Sequence, residues 1–432
     1  MKTHTKFKLT EIGEIPEDWK VKTLETVSVE IIDGDRGVNY PNGKDFSDFG
    51  YCLFLNTKNV PDTKFEFTEK MFITKEKDEQ LRKGKLKRND IVLTTRGTVG
   101  NMAIYDSNIP FEHIRINSGM VIIRNLQKEF NTNFLFQILR SPIFRSQVLS
   151  FFTGSAQPQL PIRDLKKIYV LIPSLNEQHS IAKILSDLDS KIELNQQMNK
   201  TLEAIGQAIF KRWFIDFEFP NEKGKPYKSS GGEVVDSELG QIPKGWGVGN
   251  VLNEFNLTMG QSPPGSTYNE AAEGVSFFQG RTDFGFRFPT KRIFCTLPAR
   301  FAEPGDTLVS VRAPVGDINM ATEKCCVGRG VAGIRHKTGS RSYTYYSMQN
   351  LREKFLHFEA EGTVFGSIGK TDFEKIRIII PSKEIINLFE KILYHIDQKI
   401  ENNFFSNESL LQIRGRLLPR LMSGKIRVPV EV

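Results

Sequence analysis

Residues 11–21, EIGEIPEDWKV, recur as residues 238–248, ELGQIPKGWGV. Both copies keep a glycine, an Ile-Pro pair and a tryptophan, and they contain two of the three tryptophans of the chain, Trp19 and Trp246. A long segment that returns within one chain indicates an internal repeat, whose copies fold as equivalent units. The 432-residue chain is too long for one ordinary domain, and we expect it to consist of two related halves.

Further matches extend the repeat over most of the chain. The matching segments are residues 90–96 and 306–312, 164–174 and 372–382, and 189–195 and 397–403. The offset is 227 between Gly13 and Gly240, 216 between Arg96 and Arg312, and 208 from Pro173 and Pro381 onward. Insertions and deletions therefore lie in the front part of each half, while the rear part keeps a fixed register. This pattern suggests a variable recognition head on a rigid support.

The front part of each half predicts a mixed α/β domain. Short helices are predicted at residues 134–149 and 345–357, and runs of β-branched residues bounded by turn residues predict strands. The predicted strands are Ile91–Thr95, Met120–Ile123, Ile168–Ile172 and Ile376–Ile380.

The rear part of each half predicts one long helix. No proline interrupts residues 174–219 or 382–418, and Ser174 with Glu177 three residues later matches a helix-capping box. Two one-sided apolar stripes of this length predict helices packed as a coiled coil, with two ordinary core helices as the alternative. The apolar positions are 181, 184, 188, 192, 202, 205 and 209, and the same positions plus 208.

An antiparallel pair related by a two-fold axis makes the numbers of facing residues add to a constant. Asn195 and Asn403 interrupt the two stripes at equivalent positions, and we predict that they face each other. A buried asparagine pair of this kind fixes the register at some loss of stability. The apolar pairs that follow from this register include Leu188 with Leu410 and Leu202 with Ile396.

The predicted fold class is α/β, with two mixed α/β domains separated by two long antiparallel coiled-coil helices and related by a pseudo-two-fold internal repeat. The predicted boundaries are 1–173 for the first domain, 174–235 for the central helix and linker, 236–381 for the second domain, and 382–432 for the C-terminal helix and tail.

Composition and charge narrow the functional class. A formal net charge of +8 and a pI near 9.1 suit a polyanionic partner, because Lys and Arg release counterions when they neutralise phosphates. The first 19 residues contain no apolar segment of the kind found in secretory signals, and no apolar run reaches the roughly 18 residues of a membrane helix. The four cysteines form no Cys-x-x-Cys pattern, which argues against a zinc knuckle or a disulfide framework. A cytoplasmic location is expected.

Several motifs together resemble the specificity subunits of type I restriction-modification enzymes, over nearly the whole chain. The doubled Gly-x-Ile-Pro-x-x-Trp opening is one of them. The others are GSAQP at 154–158 leading into DLK at 164–166, QHSIAKIL at 178–185, LLPRLMSGK at 417–425, DGDRG at 33–37 and GQSPP at 260–264.

The resemblance implies a DNA reader without a catalytic centre. Its two domains would be target-recognition domains, each reading one half of a bipartite site in double-stranded DNA, with the helices setting the separation. Two methylation subunits and the restriction subunits would assemble around the helices, and S-adenosylmethionine and ATP would bind to those partners rather than to this chain. Residues 362–366, GTVFG, depart from the Ala-Gln-Pro loop of the first half, so the two domains should differ there.

Motifs for catalysis in the chain itself are incomplete. Gly369-Lys370-Thr371 lacks the glycine five positions earlier that a phosphate-binding loop requires, since that position is Val364. The six histidines form no metal-binding pair at helical spacing, and no Asn- or Asp-Pro-Pro-aromatic tetrapeptide of a base methyltransferase occurs.

Candidate DNA contacts follow from comparing the two halves. Arg96 and Arg312 end equivalent predicted strands beside glycines, which favours phosphate contacts that position the protein without specifying sequence; an arginine that closes a turn is the alternative. Unmatched polar loop residues can read bases, because Arg pairs well with guanine and Asn or Gln with adenine. The candidates are Asp35, Arg36, Asn39, Gln157 and Gln159 in the first domain, and Gln261, Ser262, Tyr268, Gln279, Arg281 and Arg329 in the second.

Three other functions stay open from the sequence. They are a specificity module of another multi-subunit restriction-modification type, a solitary DNA-binding regulator, and a structural coiled-coil adaptor. A regulator would bind its site without a methylation subunit, and an adaptor would show no salt-sensitive DNA binding.

Overall fold

The computed structural model describes residues 6–151, 158–360 and 366–429. The chain divides into two compact units: unit 1 is Met1–Glu193 with Glu408–Val432, and unit 2 is Leu194–Asn407. Each unit contains one mixed α/β domain and parts of both long helices, so the predicted α/β class is confirmed. This division cuts across both long helices, because the helix ends bury their apolar side chains in the cores of the two domains.

Unit 1 has two layers of strands covered by short helices. A four-stranded antiparallel sheet has the order β4-β10-β7-β8, and a three-stranded sheet has the order β6-β5-β9 with β5 and β9 parallel; β1-β2 and β3-β11 are antiparallel pairs. The strands are β1 (Phe7–Thr10), β2 (Gly13–Pro16), β3 (Lys20–Thr23), β4 (Val29–Asp33), β5 (Cys52–Leu55), β6 (Phe72–Ile73), β7 (Ile91–Thr94), β8 (Met102–Ile104), β9 (Ile114–Ile116), β10 (Met120–Asn125) and β11 (Tyr169–Ile172). The helices are α1 (Lys75–Gln80), α2 (Thr132–Leu139), α3 (Pro142–Ser150), α4 (Ile162–Leu165) and α5 (Leu175–Phe210).

Alternation along β7 explains why this strand is apolar throughout. Ile91 and Leu93 belong to the core that contains α2 and α3, whereas Val92 packs with residues of β5 and β9. All four residues of β7 are buried, as expected for a strand that is covered on both faces.

The predicted helix at 134–149 consists of two helices because the sequence between them caps the second. Ser141 Oγ accepts a hydrogen bond from Phe144 N at 3.2 Å, and Pro142 occupies the first helical position. Proline is favoured there, since the missing N–H would have had no partner inside the helix.

Unit 2 repeats the same sheet arrangement. Its four-stranded sheet has the order β15-β23-β20-β21, its five-stranded sheet the order β16-β18-β17-β22-β19 with β17 and β22 parallel, and β12-β13 and β14-β24 are antiparallel pairs. The strands are β12 (Val234–Ser237), β13 (Gly240–Pro243), β14 (Gly247–Asn250), β15 (Phe255–Met259), β16 (Tyr268–Asn269), β17 (Val275–Phe278), β18 (Phe294–Cys295), β19 (Phe301–Ala302), β20 (Thr307–Ser310), β21 (Ile318–Met320), β22 (Cys325–Val327), β23 (Val331–His336) and β24 (Arg377–Ile380). The helices are α6 (Val251–Glu254), α7 (Arg341–Asn350), α8 (Arg352–Ala360), α9 (Lys370–Lys375) and α10 (Lys383–Met422).

The long helices pair antiparallel, but in a register that differs from the predicted one. Within unit 2, Asn195 Nδ2 donates to Asn407 Oδ1 and Asn403 Nδ2 donates to Asn199 Oδ1, both at 2.8 Å. All four side chains are buried. Facing residues therefore add to 602 rather than 598, and the prediction that Asn195 faces Asn403 is wrong by about one helical turn.

The apolar pairs predicted from the sum of 598 are replaced by other pairs in the observed register. The observed sum of 602 places Leu202 opposite Ile400 and Phe389 opposite Trp213. The ring centroids of Phe389 and Trp213 lie 5.9 Å apart. Leu188, Leu202, Ile396 and Leu410 are all partly buried, so they remain on the packed sides of their helices with different neighbours.

Asp189 and Asp397 each bind an arginine of the α/β domain in their own unit. In unit 1, Arg140 Nη1 donates to Asp189 Oδ2 at 2.6 Å. In unit 2, the buried Arg287 donates to Asp397 Oδ1 at 2.7 Å and to Glu203 Oε2 at 2.6 Å. The repeat keeps an aspartate at this helix position because it fixes the domain to the helix.

A one-residue insertion distinguishes the ends of the two helices. Residues Lys211–Ile215 form a π-helical turn after α5, and such turns accommodate one extra residue in a helix. Beyond it, Phe217 (φ 61°) adopts the left-handed conformation that Gly424 (φ 66°) adopts after α10. Phe217 and Gly424 are 207 residues apart, whereas equivalent residues earlier in the two helices are 208 apart. The first helix therefore contains one additional residue, and the π-turn accommodates it.

In the described part of the chain, no helix combines the length and the apolar character that crossing a lipid bilayer requires.

Candidate nucleic-acid interface

In unit 1, the segments that follow β4, β5, β7 and β9 meet at one edge of the sheets. Gly34 packs so closely on Asn117 that a Cβ at Gly34 would lie 2.3 Å from Asn117 O. Asn117 N donates to Leu55 O at 3.1 Å, and Thr95 N donates to Gly119 O at 2.8 Å. Arg82 approaches Gly37 with its guanidinium, and Gln159 forms a β-bridge with Arg96. We call residues 34–40, 56–58, 82, 95–97, 117–119 and 159 the strand-end edge of unit 1.

Unit 2 builds an equivalent edge from the segments after β15, β17, β20 and β22. A Cβ at Gly260 would lie 2.2 Å from Gly328 O, Gly328 N donates to Phe278 O at 2.9 Å, and Val311 N donates to Gly330 O at 2.9 Å. Residues 260–264, 279–281, 311–313 and 328–330 form the strand-end edge of unit 2. The two edges share a backbone plan while their side chains differ.

The structure places Arg36 and Arg96 on the edge of unit 1. Arg36 is exposed, and its Nη2 lies 3.2 Å from Asp33 Oδ1 and 3.3 Å from Ser118 O. Arg96 is exposed and forms an isolated β-bridge with Gln159, whose side chain is also exposed. Arg96 N donates to Gly119 O at 3.2 Å, so Arg36, Arg96 and Gln159 are accessible on the side of the domain where Ser118 and Gly119 lie.

Asp35 needs correction as a base-reading candidate. It is only 5% exposed, and its carboxylate accepts hydrogen bonds from Gly37 N at 2.7 Å, Arg82 N at 2.6 Å and Lys83 N at 3.3 Å. Burial raises the pKa of this carboxyl, but the three backbone donors together hold the pKa below its ordinary value. Asp35 therefore shapes the loop, and its oxygens are not free to accept a hydrogen bond from a base.

Asn39 lies at the outer end of the same loop. It is exposed, and its Nδ2 donates a long hydrogen bond to Gln80 O at 3.4 Å. Gln157 lies outside the described residues, as do residues 362–365 of the corresponding loop in the second half.

Five of the candidates of unit 2 come together at its edge. Arg329 N donates to Ser262 Oγ at 3.2 Å, and Gln261 N donates to Val327 O at 3.0 Å. Tyr268 Oη donates to Pro263 O at 2.8 Å, and its ring stacks on Phe277 at 4.6 Å. The backbone oxygen of Gln279 accepts a hydrogen bond from Gly330 N at 3.1 Å, and the side chain of Gln279 is exposed. The group consists of Gln261, Ser262, Tyr268, Gln279 and Arg329.

Arg281 and Arg312 lie beside this group. Arg281 Nη1 forms an ion pair with Asp317 Oδ2 at 2.9 Å, so its guanidinium is oriented by an acid. Arg312 is exposed and its backbone bridges Ser367, in the same way as Arg96 bridges Gln159. This equivalence fits the interpretation of both arginines as phosphate contacts, which stays a prediction.

Sequence comparison missed Arg82 and Ser118 on the edge of unit 1. Arg82 is exposed, and its guanidinium closely approaches Gly37. It lies in a lysine- and arginine-rich stretch, residues 82–88, that has the composition of a solvated surface. Only the hydrogen bonds of Asp35 to the backbone of Arg82 and Lys83 could have linked this stretch to the edge, and no periodic pattern carries that information.

Metal-binding groups and reactive thiols bear on whether the described residues could perform catalysis. No three His, Cys, Asp or Glu side chains within residues 6–151, 158–360 and 366–429 could hold a metal ion. Burial raises the pKa of Cys52 and of Cys325 to about 12, which keeps these thiols protonated and weakly nucleophilic.

Comparison with known proteins finds similarity to the specificity subunits of type I restriction enzymes, in sequence and in fold. Residues 16–204 and 300–410 match a family model described as the type I restriction modification DNA specificity domain. A Methanocaldococcus jannaschii protein, assigned by its name as the specificity subunit of the MjaX type I restriction enzyme, is 32% identical over 98% of this chain and 97% of its own. The HindI specificity subunit of Haemophilus influenzae is 26% identical over 95% of this chain and 100% of its own. The crystal structure of an M. genitalium type I S subunit is similar in fold, with a TM-score of 0.60 at 16% identity over 97% of this chain and 99% of that one.

Proposed function

The chain belongs to the type I restriction-modification DNA specificity family, and on that premise we propose that it reads a bipartite target in double-stranded DNA and scaffolds the subunits that act on it. Unit 1 reads one half-site and unit 2 reads the other. The chain itself performs no chemistry. The relatives named above are type I specificity subunits, which supports this division of labour.

The observation that carries the proposal is the pair of strand-end edges. Their backbones are built alike, down to the close glycine contacts of Gly34 and Gly260, yet their exposed side chains differ. Arg36 and Gln159 stand on one edge, whereas Gln279 and Arg329 stand on the other. Equivalent frames with different polar side chains suit two readers that bind the same polymer and recognise different bases.

Charge on the edge of unit 1 favours DNA over other partners. Arg36, Arg82 and Arg96 are exposed there, while the nearby carboxylate of Asp35 is turned inward to backbone N–H groups. The net charge of the chain is +8. Cations on such an edge bind phosphates through counterion release, so affinity should fall steeply with salt.

The helices offer matching surfaces for two copies of a methylation subunit. Four positions of the predicted apolar stripes are exposed instead of packed: Ile184 and Ile413 in unit 1, and Ile205 and Ile392 in unit 2. The repeat relates Ile184 to Ile392 and Ile205 to Ile413, each by 208 residues. Exposed apolar side chains at equivalent positions suit a partner that binds twice in the same way.

The partners supply the reactions in this proposal. Two methylation subunits bind S-adenosylmethionine and modify adenines within the half-sites, and restriction subunits use ATP and cleave unmodified DNA. This chain binds neither cofactor.

The experiment combines assembly and methylation. The full chain is co-expressed with its cognate methylation subunit, the complex is purified, and methylated adenines in the host genome are mapped by single-molecule sequencing. We expect co-purification and a methylated motif with two short specific parts and a fixed gap. Sequence-specific DNA binding by the chain without any methylation subunit would instead support a solitary regulator, and a continuous motif would contradict two readers.

A further inference from the structure

The loop after β4 ends in a tight turn whose tip is apolar. Tyr40 N donates to Gly37 O at 3.0 Å, which closes a four-residue turn with Val38 and Asn39 at its centre. The side chain of Val38 is fully exposed to solvent. Turn centres favour Gly, Pro, Asn, Asp and Ser for conformational reasons, so the turn itself gives no reason for a β-branched apolar residue at this position.

Both ends of the turn are fixed to the domain. Asp35 precedes it and binds the backbone of Arg82 and Lys83, as described above. Tyr40 follows it, with its ring in edge contact with Phe54 at 5.8 Å and its hydroxyl accepting from Ser118 N at 3.4 Å. The tip is therefore held in one position before any ligand binds, which reduces the entropy lost on binding.

The surroundings of Val38 are those of a nucleic-acid contact. Exposed Arg36 lies two residues before it, and the guanidinium of Arg82 lies against Gly37. An apolar tip flanked by cations suits a DNA groove, where the tip can contact the edge of a base pair and the cations can contact the phosphates on either side. In the major groove, the 5-methyl group of thymine is the apolar feature that distinguishes one base from the others.

We propose that Val38 is a specificity-determining residue that contacts the 5-methyl group of a thymine in the half-site of unit 1. The inference rests on the proposed function and names one base feature that this unit reads. Counted from the equivalent Gly260, the position of Val38 is taken by Pro264 in unit 2, so the two units differ at this place.

The test uses the complex of the full chain with its methylation subunits. The methylated motif is first determined, and duplexes are then made in which each thymine of the motif is replaced singly by uracil, which lacks only the methyl group. At one position, uracil should weaken binding by about fourfold, the factor that corresponds to one buried methyl-sized group. Val38→Ala should weaken binding to the thymine duplex by a similar factor and remove the difference between thymine and uracil.

Leu126→Ala is the matched control. Leu126 is also an exposed apolar residue of unit 1, but it follows β10, which runs antiparallel to β4 and ends beside Val29. This variant should keep the uracil effect. Because Val38 makes no core contact, Val38→Ala should fold normally, which its thermal unfolding checks.

Two results separate this inference from the proposed function. If the wild-type complex binds and methylates a bipartite motif but no uracil position depends on Val38, the thymine contact is refuted and the proposed function stands. If the complex has no bipartite motif, the proposed function itself fails, and this inference fails with it.

Discussion

Gly424 shows how a single residue closes the core of unit 1. It has a φ of 66°, and a Cβ there would lie 2.3 Å from Pro16 Cγ and 3.3 Å from Trp19 Cζ2. The repeated Ile-Pro-x-x-Trp segment and the Ser-Gly-Lys segment after α10 are therefore in direct contact. Phe217 occupies the equivalent left-handed position in unit 2, and its ring packs on Trp246 at 5.6 Å, a contact that offsets the backbone strain.

We expect Gly424→Ala to destabilise unit 1 by about 2 to 5 kcal/mol. A left-handed alanine costs about 1 to 2 kcal/mol, and overpacking against Pro16 adds about 1 to 3 kcal/mol. Urea unfolding followed by tryptophan fluorescence measures the change. Gly13→Ala is the control, because Gly13 has a φ of 102° with no atom near its Cβ position; equal losses in the two variants would show that the contact with Pro16 does not matter.

At the same scale, loop composition predicted which residues lie together but not the direction of each side chain. Gln261, Ser262, Gln279 and Arg329 were predicted as unmatched polar residues and do come together. Asp35 was predicted by the same reasoning, but its carboxylate turns inward. The direction of a side chain depends on distant backbone donors, which loop composition does not reveal.

At the scale of elements, the four buried asparagines determine how α5 and α10 align. A shift of four residues still sets apolar residues against apolar residues at most stripe positions, although Leu188 then comes opposite Arg414 instead of Leu410. Leu202, for example, meets Ile396 in the predicted register and Ile400 in the observed one. Apolar periodicity therefore predicts that the helices pair but cannot select the register. The polar positions select it, because Asn195 meets Asn407 and Asn199 meets Asn403 only in the observed register.

We expect Asn199→Leu to lower the free energy of unfolding by about 1 to 3 kcal/mol, because Asn403 is then buried without its partner. The double variant Asn199→Leu/Asn403→Leu should lose much less than the sum of its two single variants, since both polar groups are removed together. Urea unfolding of the four proteins measures the coupling. Purely additive losses would mean that the 2.8 Å hydrogen bond between these residues contributes nothing to stability.

The length of the helices should determine the gap in the DNA motif. Trp213 is buried, so an insertion beside it would disrupt a core. Four residues inserted after Glu193 and four after Glu408 instead lengthen both helices at facing positions, by about 6 Å or slightly more than one turn. We expect the gap of the methylated motif to grow by about one or two base pairs, with both half-sites unchanged in methylome sequencing. The control is an insertion in one helix alone, which breaks the register of the pair. An unchanged gap in the protein with both helices lengthened would show that the helix length does not set the gap.

At the scale of the whole molecule, the two units should read independently. Replacing residues 20–160 with the corresponding segment of another family member should change one half of the methylated motif and leave the other half and the gap intact. The reason is that this segment contains the entire strand-end edge of unit 1 and none of unit 2. Methylome sequencing of cells with the chimera is the measurement, and a change in both halves would show that the edges do not act separately.

The repeat was sufficient to predict two α/β domains and two antiparallel helices, because duplicated motifs and helical periodicity are properties of the sequence itself. It did not predict that unit 1 combines segments from the two ends of the chain. In unit 1, Leu418 and Leu421 share a core with Ile181 and Trp19. A contact between the two ends of a chain depends on the register of the helices, which the periodicity left undetermined.

The composite make-up of unit 1 sets the order in which the chain can finish folding during synthesis. Trp19 and Glu177 leave the ribosome early, but Arg427, which pairs with Glu177 at 2.7 Å, is made 250 residues after it. Unit 2 is the continuous segment Leu194–Asn407 and has all its residues before that point. Domains usually fold in the order in which they are synthesised. Here the domain that is translated first must wait, with part of its apolar core uncovered, and it is completed last.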